Sequence, residues 1–384
     1  MIDDAALPPD PALTATILAA AGETSSPGRV AGADVIAAVA RAALRETGAQ
    51  GLAVATFDRG QVRSVQAFGE RNAQGDPLTA DSVMHAAALT KVVFGWLAVQ
   101  LADEGRFDLD RPIARLLARP LPHYGNLDAY GRLGDLADDG RWAFITPRMV
   151  LNHTAGFADS AAAQPDRPLR IQAEPGAHYR YSDAGIMLLQ FALEQGLGLD
   201  VADELERRLF APLRIRRTAL KWHSGMGDDI ADGWTADGTP KPHVERGDVR
   251  AASSMDTTPE EMAQIVSHIV RGAGISARAR ANFAFGTAPI TPTLLPDAAP
   301  GEGPGASAAL GVIAFTGPQG PGWFKSGHDD ATANLLVCLD RGGRSVLLLS
   351  NDLRAQPAFP ALVQVALGTA GVPWAAERGF ERAE

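Results

Sequence analysis

Strand-like patterning lies at the two ends of this 384-residue chain, and the stretch between them is patterned for helices. Residues 51–57 and 62–68 alternate as two strands joined by the turn Asp58-Arg59-Gly60, and strand-like runs return at 309–315, 333–339 and 345–350. Helical periodicity marks 34–45, 90–104, 147–151, 183–195, 201–209, 259–271 and 359–367. Gly105 stops the second of these, and Thr257-Thr258-Pro259-Glu260 leads the sixth with a capping pattern. Strands from both ends with helices between them imply an α/β lobe discontinuous in sequence, with a helical lobe inserted. The expected division is an N-terminal arm over 1–30, an α/β lobe over about 31–80 and 250–384, and a helical lobe over about 81–249.

Composition narrows the function. An apolar content of 46% suits a large core, and the formal net charge is −10 with no Lys/Arg-rich run, which argues against nucleic acid as a partner. No run approaches the roughly 18 apolar residues of a membrane helix. The first thirty residues carry Asp3 and Asp4 but no basic segment before the apolar stretch 12–21, so a cytoplasmic protein without a signal peptide is expected. Cys338 is the single cysteine, which excludes an internal disulfide and a cysteine-built metal site. Its neighbours Leu335, Leu336, Val337 and Leu339 point to a buried strand thiol. Residues 289–308, rich in Pro, Gly and Ala, read as a long loop.

Four motifs follow one another: Ala88-Leu89-Thr90-Lys91 at a helix start, Asn152-His153-Thr154-Ala155-Gly156, Pro175-Gly176 leading to Tyr181-Ser182-Asp183, and Lys325-Ser326-Gly327-His328. Residues 101–109 and Phe210-Ala211-Pro212-Leu213 add two supporting matches. The ordered set resembles the serine β-lactamase and penicillin-binding-protein superfamily: class C β-lactamases, D-Ala-D-Ala carboxypeptidases and family VIII esterases. The resemblance covers about residues 35–370. It implies an α/β fold, an antiparallel sheet with flanking helices plus an inserted, mostly helical lobe, and a serine hydrolase working through an acyl-enzyme at position 88 without a cofactor or metal. Three residues make one helical turn, which sets Lys91 beside position 88. By position Tyr181 is the tyrosine that works with this lysine. Lys325, Ser326 and Gly327 would bind substrate from the strand flanking the cleft, with His328, Asp329 and Asp330 as the polar turn beyond it.

The chain departs from that pattern twice. Alanine at position 88 has no oxygen to attack with. Two explanations stand: an engineered serine-to-alanine change, favoured because Lys91, Tyr181 and Lys325 persist, or a natural pseudoenzyme that binds an acyl compound without cleaving it. Asp183 takes the place of an asparagine, and a carboxylate accepts hydrogen bonds without donating them. It would pair with a lysine or a cationic substrate group, or else cap the helix that follows. A second register, with Ser182-Asp183-Ala184 as an S-D-N element, is weaker because Ala184 lacks an amide. His153 and His85, the latter one turn before Ala88, are expected in packing roles. The substrate class is an ester, amide or short peptide of small size, with acyl transfer and β-lactam hydrolysis as alternatives on the same residues and the oligomeric state open.

Overall fold

The computed structural model describes residues 7, 9–22, 26–157, 168–290, 305–374 and 376. Near the N-terminus β1 (Gly51–Asp58) and β2 (Gln61–Gly69) form a hairpin. Two small ribbons stand apart from the main sheet: β3 (Met84–His85) with β6 (Asp256–Thr257), and β4 (Gly233–Trp234) with β5 (Pro240–Lys241). The C-terminal third supplies β7 (Ala288–Pro289), β8 (Ala306–Ala308), β9 (Ile313–Gly317), β10 (Gly320–His328), β11 (Ala333–Leu339) and β12 (Arg344–Ser350). The order β2-β1-β12-β11-β10-β9-β8-β7 places the hairpin against the last strand, with Leu52 opposite Ser350 and Phe57 opposite Ser345. All of these neighbours run antiparallel, as the resemblance implied.

Both faces of this sheet are buried. Leu52, Val54, Leu335, Val337, Val346 and Leu348 pack into one core, while Ala53, Ala55, Phe57, Leu336, Leu347 and Leu349 pack into the other. Sandwiching of this kind explains why β11 and β12 read as continuous apolar runs instead of alternating. Helices α1 (Pro11–Ala21) and α2 (Ala33–Thr47) line the first core. The second core holds α3 (Thr90–Asp103), α4 (Pro147–Leu151) and α5 (Asp183–Leu197), followed by α6 (Val201–Leu205) and α7 (Ala211–Leu213) toward its edge. It also holds α8 (Pro259–Val270) and α9 (Ala277–Ala284), whereas α10 (Phe359–Leu367) returns to the first. Thr258 caps α8 by accepting from the Glu261 N–H, as the sequence pattern predicts.

Three expectations need correction. Residues 1–30 are not wholly a loose arm: Asp10 caps α1 through the N–H groups of Ala12 and Leu13, and Ile17 is fully buried beside α2 and α10. The mostly apolar stretch 12–21, with threonine at 14 and 16, lacks an amphipathic signature because the helix is short and partly covered. The strand expected at 309–315 starts only at Ile313, since Gly311 takes a φ of +94° in a turn closed by the Ala309 N–H to the Val312 carbonyl. β10 escapes apolar patterning because glycine, proline and polar residues fill most of it. The expected loop at 289–308 gives way at both ends to strand, Pro289 in β7 and Ala306–Ala308 in β8, and residues 291–304 lie outside the described residues.

Cys338 is buried on β11, and burial pushes its thiol pKa up. Among the described residues no helix is long and apolar enough to cross a membrane.

The close approach of α3 to the turn before β9 fixes the helix that carries Lys91. A Cβ at Gly95 would lie 2.4 Å from the Leu310 carbonyl oxygen, and one at Gly311 would lie 2.7 Å from the Lys91 carbonyl oxygen. Both opposing atoms are backbone and cannot swing aside. Gly95→Ala is therefore expected to lower stability by about 1–3 kcal/mol through overpacking, although alanine is the better helix former by about 1 kcal/mol. A lower urea midpoint with an unchanged slope would register this, and an unchanged or raised midpoint would contradict it.

Candidate active site

The segment around position 88 is held in an unusual backbone state. Ala87 has φ of +46°, a region that costs a residue with a Cβ roughly 1–3 kcal/mol. The surroundings enforce it. Thr90 Oγ1 donates to the Ala87 carbonyl at 2.6 Å and accepts from the Met255 N–H at 3.1 Å, while the Ala86 N–H donates to the Met255 carbonyl at 2.9 Å. Asn334 Nδ2, from β11, holds the His85 carbonyl at 3.1 Å. A single 3-10 turn, Ala87–Leu89, then runs straight into α3.

The end of β10 lies against this turn. Its residues 325–328 pair with β11 but not with β9, whose pairing ends at Phe324 opposite Ile313. A Cβ at Gly327 would stand 2.7 Å from the Leu89 nitrogen, 2.8 Å from the Ala86 oxygen and 3.1 Å from the Ala88 nitrogen, so only glycine fits. Position 88 is thus wedged between strand and helix, with its methyl group partly exposed.

Around it the structure gathers Lys91, Tyr181, Asp183 and Lys325, four of the residues expected from sequence. Lys91 is 1% exposed, and its Nζ donates to the Ala252 carbonyl at 2.7 Å. The same nitrogen lies 2.6 Å from Asp183 Oδ1, an ion pair off the hydrogen-bond axis. It also stands 4.9 Å from the centre of the Tyr181 ring, and Lys325 Nζ stands 5.4 Å from that centre. Lys325 and Ser326 are buried, and Lys325 Nζ donates to the Ser326 carbonyl at 2.6 Å. His328 closes β10 and is only partly buried. Asp183 is the first residue of α5, while Ser182 occupies the cap position, so the aspartate does not cap its helix. Its carboxylate turns to Lys91 instead.

His153 plays a larger part than the sequence suggested. Its ring lies 4.5 Å from that of Tyr181 at a 38° tilt, and its Nδ1 accepts from the Ser182 N–H at 3.2 Å. Burial, reinforced by the charges of Lys91 and Lys325, holds its pKa well below 6.5. The imidazole is therefore neutral with its hydrogen on Nε2, and it backs the tyrosine without adding a third cation.

Sequence reasoning missed a second charged cluster directly behind β3. Asp256, 1% exposed, lies 3.3 Å from His85 Nδ1, 3.2 Å from His243 Nε2 and 3.2 Å from an Arg246 nitrogen. His85 Nε2 also reaches to 3.7 Å from Asp329, whose carboxylate ties the turn after β10 through Ala331 and Thr332. His85 thus joins the strand before position 88 to the turn after Gly327 through polar contacts with Asp256 and Asp329, beyond a packing role alone. These partners are scattered over more than two hundred residues, and no local motif announces them.

Burial alone would raise the Asp256 carboxyl, but the bonds from His243 and His85 outweigh it and hold the pKa below the ordinary 3.8. A depressed carboxylate contributes stability that is complete above the unfolded value and is lost as pH falls through the folded one. Asp256→Asn is expected to cost roughly 3 kcal/mol at pH 6, a gap that narrows below about pH 4. Urea unfolding of both proteins across pH 2.5–6, estimated as about the carboxylate range, checks this. A gap that stays constant with pH would show that the charge is not what Asp256 contributes.

A family model described as Beta-lactamase matches residues 36–370. The fold is that of the octameric penicillin-binding protein homologue from Pyrococcus abyssi, with TM-score 0.70, 17% identity, and coverage of 86% of this chain and 76% of that one. It is also that of the D-alanine carboxypeptidase AmpC from Burkholderia cenocepacia, with TM-score 0.66, 17% identity, and coverage of 86% and 99%. Monacolin J acid methylbutanoyltransferase from Aspergillus terreus is 26% identical over 188 residues, 42% of this chain and 45% of that protein. A putative fimbrial assembly protein FimD, serogroup D, from Dichelobacter nodosus is 26% identical over 162 residues, 38% and 37% of the two chains. This chain spans less than half the length of the curated relatives it matches.

Proposed function

The chain belongs to the Beta-lactamase family, and on that premise we propose that its cleft is the acyl-transfer apparatus of a serine hydrolase with alanine at the nucleophile position. The substrate is an ester or amide of a small molecule or short peptide. The observation that carries this reading is the convergence of Lys91 and Lys325, more than two hundred residues apart in sequence, on the ring of Tyr181, with Lys91 one helical turn beyond Ala88. A hydroxyl at 88 would attack the substrate carbonyl carbon and pass its proton to the Tyr181–Lys91 pair. That proton would pass to the leaving group as its bond to the carbonyl carbon breaks, leaving the acyl group esterified to residue 88. Water, or another acceptor, would then repeat the sequence and free the acyl group. The methylbutanoyl transfer named for the Aspergillus relative keeps transacylation within this reading.

The chain as it stands lacks the hydroxyl, which favours a second reading: a cleft that binds an acyl compound and leaves it intact. One experiment addresses both. Ala88→Ser is expected to be labelled at residue 88 by a serine-directed acylating agent and to turn over a p-nitrophenyl ester with a burst. In that background Lys91→Ala and Tyr181→Phe are expected to remove roughly two to four orders of magnitude of rate. No labelling and no turnover across short-chain esters, D-amino acid amides and a chromogenic β-lactam would leave the binding reading.

A further inference from the structure

Asp183 and Ala88 are the two places where this cleft departs from the family pattern, and both touch the working environment of Lys91. We infer that Asp183 is a positioning residue that sequesters Lys91, so that the cleft is silenced twice and a hydroxyl at position 88 restores only part of its acyl transfer. The inference rests on the acyl-transfer reading of the site.

The geometry leaves the Lys91 ammonium little freedom. Its nitrogen is 2.7 Å from the Ala252 carbonyl oxygen and 2.6 Å from Asp183 Oδ1, and the side chain is 1% exposed, so bulk water does not compete for it. Asp183 is anchored at the first position of a fifteen-residue helix, where the N-terminal end of the helix favours a negative charge. Its side chain is 26% exposed and borders the opening, while the lysine lies beneath. A lysine acts as a base only with a lone pair turned toward the proton it takes. To gain one, Lys91 must surrender a proton and abandon a carboxylate that is largely removed from water, and breaking such a pair is costly. An asparagine at 183 would offer a dipole in place of a charge and would both donate and accept. A helix-capping role does not account for the aspartate, because Ser182 holds the cap position.

The test reads the amine directly. The full-length Ala88 protein and its Asp183→Asn variant are treated with cyanate near neutral pH, which carbamylates an unprotonated amine, and modification at each lysine is followed by peptide mass spectrometry. Lys221, exposed to solvent, is the internal standard. The expected result is slow labelling of Lys91 that rises by about ten-fold or more relative to Lys221 on Asp183→Asn, the effect of removing one adjacent opposite charge. No gain in Lys91 labelling overturns the inference, whether that lysine labels in both proteins or in neither. Matching thermal unfolding of the two proteins ensures that opening of the fold is not what is read. In a second arm, Ala88→Ser is compared with Ala88→Ser/Asp183→Asn for the burst with a p-nitrophenyl ester. A faster burst in the double variant supports the inference, and equal bursts overturn it. If neither protein is acylated, the acyl-transfer reading fails, while the cyanate result still decides whether Asp183 holds Lys91.

Discussion

The contact on which the rest of the site depends is backbone against backbone: Gly327 at the end of β10 lying on the turn Ala86 to Leu89. No side chain could stand between them, since a Cβ at 327 would reach 2.7 Å from the Leu89 nitrogen. This contact brings the sheet and α3 to the separation at which Lys91 and Lys325 face one tyrosine. It also explains the cost accepted nearby. Ala87 keeps a left-handed φ because bonds from Thr90, Met255 and Asn334 fix the segment on both sides, and a relaxed backbone there would draw the turn away from the strand.

The electrostatics of the cleft follow from burial. Two lysines lie under the surface, Lys91 against the Asp183 carboxylate, and a third basic group, His153, stays uncharged because its burial, reinforced by the two lysine charges, disfavours the imidazolium. A separate cluster centred on Asp256 gathers two histidines and an arginine one layer behind. The two clusters share a border at the strand pair β3 and β6. His85 precedes Ala88 by three residues, and Asp256 follows by four the Ala252 carbonyl that takes the Lys91 ammonium. Charge that orders the scaffold and charge available for chemistry thus meet at one short ribbon.

Much of this was legible in sequence where the signal is local. The hairpin at 51–69, the helices at α2, α3, α5, α8 and α10, and the strands β11 and β12 all follow from apolar periodicity and turn chemistry, because each is set by its own residues. The motifs around Lys91, Tyr181 and Lys325 named the residues that meet, since their spacing reflects helix and strand geometry. Legibility ended where the cause is tertiary. The motif pattern anticipated a lysine as partner of Asp183 but not which one, and Asp256 draws its neighbours from β3 and from the loop after β5. β10 was hidden for a different reason. Its glycine and polar residues serve a close approach, and such residues erase the pattern by which a strand is recognised.

The strand order carries a consequence in time. Because β1 pairs with β12, the hairpin formed by the first seventy residues has no partner on its inner edge until residue 344 and beyond leave the ribosome. For most of synthesis the chain holds an unpaired apolar edge and an unfinished cleft, and loop closure over nearly three hundred residues must precede the contacts that reward it. The helices between can pack on one another during that interval. Position 88 acquires its surroundings only when the C-terminal strands arrive, so the site is among the last parts of the molecule to exist.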